Sequence, residues 1–166
     1  MRDQGHQPKF RWQIFLSSYQ MKYFIYWRVS QDREDRQILS PESQKKKLFS
    51  FAKKNDLQIA GFYSERQTAY KTGRKKFNEM LSRVQNGEAD GILVYHLSRI
   101  ARNSYDGGRV IYMMDESSIK EIKTIEKTYI NCSDDKFLMQ IHFAMNKKSS
   151  DDTSEFVKRD TITKLE

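Results

Sequence analysis

Short apolar runs alternate with amphipathic stretches through most of this chain. Tyr23, Phe24, Ile25 and Tyr26 make a β-prone run. It predicts a strand over Lys22–Arg28, after which Gln31-Asp32-Arg33-Glu34-Asp35-Arg36 is wholly polar. Ser40-Pro41-Glu42 reads as a helix start, with an N-cap serine, a proline at the first position and an acid in the first turn. Gln44, Leu48, Phe51, Ala52 and Asn55 then share one face, and Lys45, Lys46, Lys47, Lys53 and Lys54 lie mostly on the other. Leu57–Tyr63 alternates as a second strand, followed by a polar loop over Ser64–Gly73. Phe77, Met80, Leu81 and Val84 mark a second amphipathic helix, closed by Asn86-Gly87. Gly91-Ile92-Leu93-Val94-Tyr95 is continuously apolar, as a parallel strand covered on both faces must be. A further helix is predicted over Tyr105–Ser117, carrying Val110, Ile111, Met113 and Met114, and a further strand over Lys120–Ile125. Phe137, Leu138, Ile141, Ala144 and Met145 open a last helix, which turns polar after Asn146 and runs on through Phe156 and Val157. Strands alternating with helices give an α/β fold with a largely parallel sheet.

Composition narrows this picture. A chain of 166 residues makes one domain able to bury a real core. Residues 1–20 are mixed and polar despite Trp12, Ile14, Phe15 and Leu16, and read as a flexible leader; Met21 is an alternative start. The formal charge of +8 fits a polyanionic partner but says nothing of a reaction. The aromatic content of 13% separates the chain from disordered sequences. Cys132 is the only cysteine, which excludes an internal disulfide and a cysteine-based metal site and fits a cytoplasmic location. No run approaches the ~18 apolar residues of a membrane span, and no signal peptide is recognisable, so no membrane partner is expected.

The candidate chemistry lies where the predicted strands end. Ser30 stands just past the first strand with Arg28 two residues before it, and ligands of open α/β sheets bind at the carboxyl ends of strands. The strand over Gly91–Tyr95 runs into His96-Leu97-Ser98-Arg99-Ile100-Ala101-Arg102-Asn103. On one helical turn, Arg99 and Arg102 present their forks the same way, as an oxyanion clamp requires. The loop holding Glu65, Arg66, Gln67, Thr68, Lys71 and Arg74 leaves a strand's carboxyl end too. One hydroxyl and four guanidiniums, on Arg28, Arg74, Arg99 and Arg102, thus map to one rim, where an anion would relieve their repulsion. The plainer alternative is a polar turn and surface arginines. No His/carboxylate cluster indicates a metal, and no cofactor is expected. His96, His142 and Cys132 read as packing or solvent residues, and the lysine clusters as solvated faces.

These segments resemble serine recombinases of the resolvase/invertase family. Tyr26-Trp27-Arg28-Val29-Ser30 with Ser40-Pro41-Glu42-Ser43-Gln44 is similar to the family's Y-x-R-V-S … S-x-x-x-Q opening. Thr68-Ala69-Tyr70-Lys71-Thr72-Gly73-Arg74 continues the pattern, and Leu93-Val94-Tyr95-His96-Leu97-Ser98-Arg99-Ile100-Ala101-Arg102 is similar to L-V-x-x-x-D-R-x-x-R. The match runs from Lys22 to the end and is most like the large serine recombinases. The resemblance implies a resolvase-like three-layer fold and site-specific DNA recombination through a 5′-phosphoserine on Ser30. It also implies arginine partners Arg28, Arg74, Arg99 and Arg102, with Tyr26, Gln44 and Thr68 in support. It divides the chain into a leader (1–20), a catalytic core (21–135) and a dimerising helix (136–166) leading to a DNA-reading domain beyond it. The active complex would be a tetramer of such dimers' subunits on DNA.

Two positions depart from the pattern. Ser98 stands where the family usually has aspartate, and Glu34 where it commonly has glutamine; the nearest loop carboxylate is Glu65, beside Ser64. The proton acceptor is therefore open between Glu34 and Glu65. These departures also frame a second reading, a catalytically weakened relative acting as a DNA-binding or assembly module. A third, a nucleotide-binding regulator, lacks any G-x-G-x-x-G or P-loop sequence after the first strand.

Overall fold

The computed structural model describes residues 19–28, 40–65 and 72–163. The expectations placed on residues 1–18, on Ser30 and Glu34, and on Thr68 lie outside the described residues. The described chain runs β1 (Lys22–Arg28), α1 (Pro41–Lys54), β2 (Gln58–Glu65), α2 (Lys75–Gln85) and β3 (Gly91–Val94). A 3₁₀ turn (Leu97–Arg99) follows, then α3 (Ser104–Asp115), β4 (Glu121–Lys123), β5 (Thr128–Ile130) and α4 (Ser133–Thr163). The strand order is β2-β1-β3-β4-β5. The first four are mutually parallel, and only β5 is antiparallel, against β4.

Alternation along β1 sorts the two faces of the sheet. Ile25 and Trp27 join Leu93 against Leu48 and Ala52 of α1. Phe24 and Tyr26 join Ile92 and Val94 in a larger core with Phe77, Met80, Leu81 and Val84 of α2, Val110 and Met114 of α3, and Met139 and Phe143 of α4. One helix on one face and three on the other make the three layers. Each large apolar side chain buried fully contributes about 1.5–3 kcal/mol relative to exposure, so the larger core dominates. Gly91 starts β3 where a Cβ would come within 2.8 Å of the Glu121 carbonyl oxygen, so only glycine permits this strand spacing.

The amino-end rim is pinned by polar contacts. Asp90 accepts from the Lys22 amide at 2.9 Å and from Lys120 Nζ at 2.6 Å, and also from the Tyr19 hydroxyl. Burial pushes its carboxyl up, but the donors from Lys120, Tyr19 and Lys22 outweigh this and hold it below the usual range. The carboxyl-end rim is thereby left for other work.

Several expectations shift in detail. β2 runs to Glu65, beyond the predicted Tyr63, so its last residues belong to the sheet and not to the loop. β5 was not foreseen, because three residues give too short an alternation to read. The apolar positions of α4 divide by exposure. Phe137, Leu138, Ile141 and Met145 are exposed, whereas Met139 and Phe143 are the residues that pack inward. Ala144 also lies on the exposed side.

Candidate active site

β1 delivers its last residue, Arg28, to the carboxyl-end rim fully buried. The two-residue period puts Arg28 on the same face as Tyr26, the face covered by α2. Directly across in register stands Glu65, the last residue of β2. Its Oε2 accepts the Lys76 amide at 2.9 Å, satisfying an open donor at the start of α2. The α2 N-cap residue is Arg74, whose side chain makes no cap hydrogen bond. Glu65 therefore caps the helix and leaves Arg74 free to reach inward.

Arg74 uses that reach fully. Its Nη1 donates to the Tyr26 hydroxyl at 3.1 Å and to the Arg99 carbonyl at 3.4 Å. Its Nη2 donates to the Ile100 carbonyl at 2.5 Å and pairs with Asp106 Oδ2 at 3.0 Å. The guanidinium lies 3.8 Å from the centroid of the Phe77 ring. One side chain thus ties β1, α2, the 3₁₀ turn and α3 together. Burial pushes the Tyr26 phenol up to about 12, despite the opposing Arg74 and Arg28 charges. Tyr26 is accordingly a neutral acceptor for Arg74.

The 3₁₀ turn after β3 presents the other pair. His96 caps it, its Nδ1 accepting the Ser98 amide at 3.2 Å and lying 3.0 Å from Ser98 Oγ. Arg99 and Arg102 are both buried here, Arg99 completely. Next comes α3, where Asn103 Oδ1 accepts the Asp106 amide and Asn103 Nδ2 donates to Asp106 Oδ2, both at 2.8 Å. Gln44 is buried in the first turn of α1.

The rim thus gathers Tyr26, Arg28, Glu65, Arg74, Ser98, Arg99 and Arg102. Among the described residues its buried cations are Arg28, Arg74, Arg99 and Arg102, and its buried carboxylates are Glu65 and Asp106. The balance is positive, and guanidinium forks suit phosphate. Among the described residues no group of three His, Cys, Asp or Glu is placed to hold a metal. Sequence reasoning missed Asp106. The signal was available, since an Asn followed three residues later by an acid is an N-cap pattern. It also missed His96, which reads as a bland strand-end residue until the turn it caps is seen.

A largely parallel α/β sheet with buried guanidiniums at its carboxyl end defines a domain suited to an oxyanionic, phosphate-bearing ligand. The chain resembles several solved structures. A resolvase family site-specific recombinase from Streptococcus pneumoniae superimposes with a TM-score of 0.56 at 25% identity, over 88% of this chain and 99% of the other. The N-terminal catalytic domain of TP901-1 integrase gives 0.56 at 20% identity, over 78% and 97%. The C-terminal catalytic domain of ISC1926 TnpA, an IS607-like serine recombinase, gives 0.52 at 18% identity, over 63% and 70%. The family model "Resolvase, N terminal domain" matches residues 23–164, and the chain belongs to that family. Its activity is site-specific DNA recombination of the serine type.

Proposed function

We propose that Ser30 is the nucleophile of this domain and that the buried arginine rim is its phosphate clamp. Ser30 Oγ attacks the phosphorus of a DNA phosphodiester, the P–O3′ bond breaks, and the 5′ phosphate remains on the serine. The serine proton passes to a carboxylate, Glu34 or Glu65, and the departing 3′ oxygen takes up a proton. Attack by a 3′ hydroxyl from the exchanged strand reverses the step and rejoins DNA without an external energy source. Arg28, Arg99 and Arg102 balance the charge spread over the equatorial oxygens, where positioning and electrostatics supply most of the acceleration. Arg74, engaged at both terminal nitrogens, sets the shape of the clamp, with Tyr26, Gln44 and Thr68 in support. Tyr26 is engaged as an acceptor for Arg74 inside the core, and burial pushes its phenol up to about 12.

The observation that carries this reading is the burial of four guanidiniums at the strand ends, beginning two residues before Ser30. The exposed stripe of Phe137, Ile141 and Met145 on α4 supports pairing of two subunits along that helix, with a tetramer on paired sites. The domain reading follows: a leader over 1–20, a core over 21–135, and a pairing helix over 136–166. The test joins this chain to a sequence-reading DNA-binding domain and supplies DNA carrying crossover sites. A covalent protein–DNA adduct is expected, absent in Ser30→Ala and reduced about 10²–10³-fold in Arg99→Ala, the usual size for a lost oxyanion donor. DNA binding without any adduct would favour the weakened-relative reading instead.

A further inference from the structure

We infer that His96 is a positioning residue that holds the Arg99–Arg102 segment in its working geometry only while its ring is neutral, so that acidification disarms the clamp. This rests on the functional reading above. The geometry fixes the tautomer. A backbone amide cannot give up its proton, so Nδ1, which accepts the Ser98 N–H at 3.2 Å, must be the bare nitrogen, and the neutral ring carries its proton on Nε2. This bond caps the 3₁₀ turn whose last residue is Arg99. A proton on Nδ1 removes the acceptor. The charged ring then finds only Ser98 Oγ, 3.0 Å away, and the Ser98 amide loses its partner inside a buried turn.

The surroundings favour the neutral form. Burial is the main cause that lowers the His96 pKa from its ordinary value, and His142, Arg99 and Arg102 lower it further. The opposing group is Glu126 in the β4–β5 turn. From α4, the His142 ring meets His96 edge-on at 6.2 Å, and Tyr129 of β5 stands 6.4 Å from His142 on a neutral phenol raised by burial. Ser98 fits this arrangement. A carboxylate at position 98 would sit beside the ring and favour its charged form, whereas a hydroxyl leaves the cap uncharged.

Asparagine separates the two properties of this side chain. Its Oδ1 occupies the place of Nδ1, caps a helix as well as any residue, and does not titrate. The experiment measures adduct formation across about pH 5–8, around the ordinary histidine pKa, for the full chain, His96→Asn and His96→Ala, together with Tm at each pH. The wild-type adduct rate is expected to fall on the acid side, by about fivefold once the ring is charged, the size of a lost cap. His96→Ala should show that loss at every pH. His96→Asn should recover most of the loss at neutral pH and flatten the acid limb in both rate and Tm. An acid limb that survives unchanged in His96→Asn, or a His96→Ala protein as active as wild type, overturns the inference alone. A wild-type protein that forms no adduct at any pH overturns the functional reading, and this inference with it.

Discussion

At the scale of single residues, Arg74 and Asp106 are the pair on which the rim is built. Both are buried, and the terminal nitrogens of Arg74 donate as well to Tyr26 and to two backbone carbonyls. A guanidinium deprived of its only carboxylate partner among the described residues is costly in this setting. Asp106→Ala is expected to destabilise the fold by about 3–5 kcal/mol, read as a lower urea midpoint with an unchanged slope. A loss within about 0.5 kcal/mol, the range of ordinary surface substitutions, would show that the carbonyls alone suffice. Linkage at His96 has a definite sign. Its folded pKa lies below the unfolded value, so its contribution is complete above about 6.5. That contribution is lost progressively as pH falls through the depressed folded value.

At the scale of elements, α4 separates what periodicity reveals from what it conceals. The stripe of Phe137, Leu138, Ile141, Ala144 and Met145 was legible, but Met139 and Phe143, the positions that meet the core, were not singled out. Met139 and Phe143 win that place, and Phe143 packs 3.1 Å from where a Cβ on Gly107 of α3 would stand. The other stripe is exposed, as the proposed pairing requires. Ile141→Glu combined with Met145→Glu is expected to leave the monomer's circular dichroism and Tm nearly unchanged while abolishing dimers in sedimentation. A wild-type protein that remains monomeric at high concentration would remove the pairing role. β1, α1, α2 and β3 were legible because their signals are local: an N-cap serine with proline, an Asn-Gly stop, a strand covered on both faces. β5 was not, because three residues hold no period. The cap made by Glu65 on α2 was not either, since it joins a strand end to a helix start 11 positions later through one side chain.

At the scale of the whole molecule, the two rims of the sheet divide the labour. The amino-end rim holds Asp90 with the Lys22 amide and the Lys120 ammonium, and Glu121 with the Tyr23 hydroxyl and the Lys123 ammonium, so each carboxylate faces a cation. Among the described residues the carboxyl-end rim keeps more buried guanidiniums than carboxylates, and the overall charge of +8 has the sign that attracts a polyanion. That Arg28, Arg74, Arg99 and Arg102 belong to the carboxyl-end rim was legible from strand direction alone. How Arg74 would be spent was not, because its partners come from four separate elements. The central claim is that the rim presents one phosphodiester to one hydroxyl. Its most direct measurement is peptide mass spectrometry of the trapped protein–DNA complex after nuclease digestion. The account predicts a nucleotide phosphate on the peptide carrying Ser30 and on no other; the same mass on a tyrosine, or on any serine elsewhere, would contradict it.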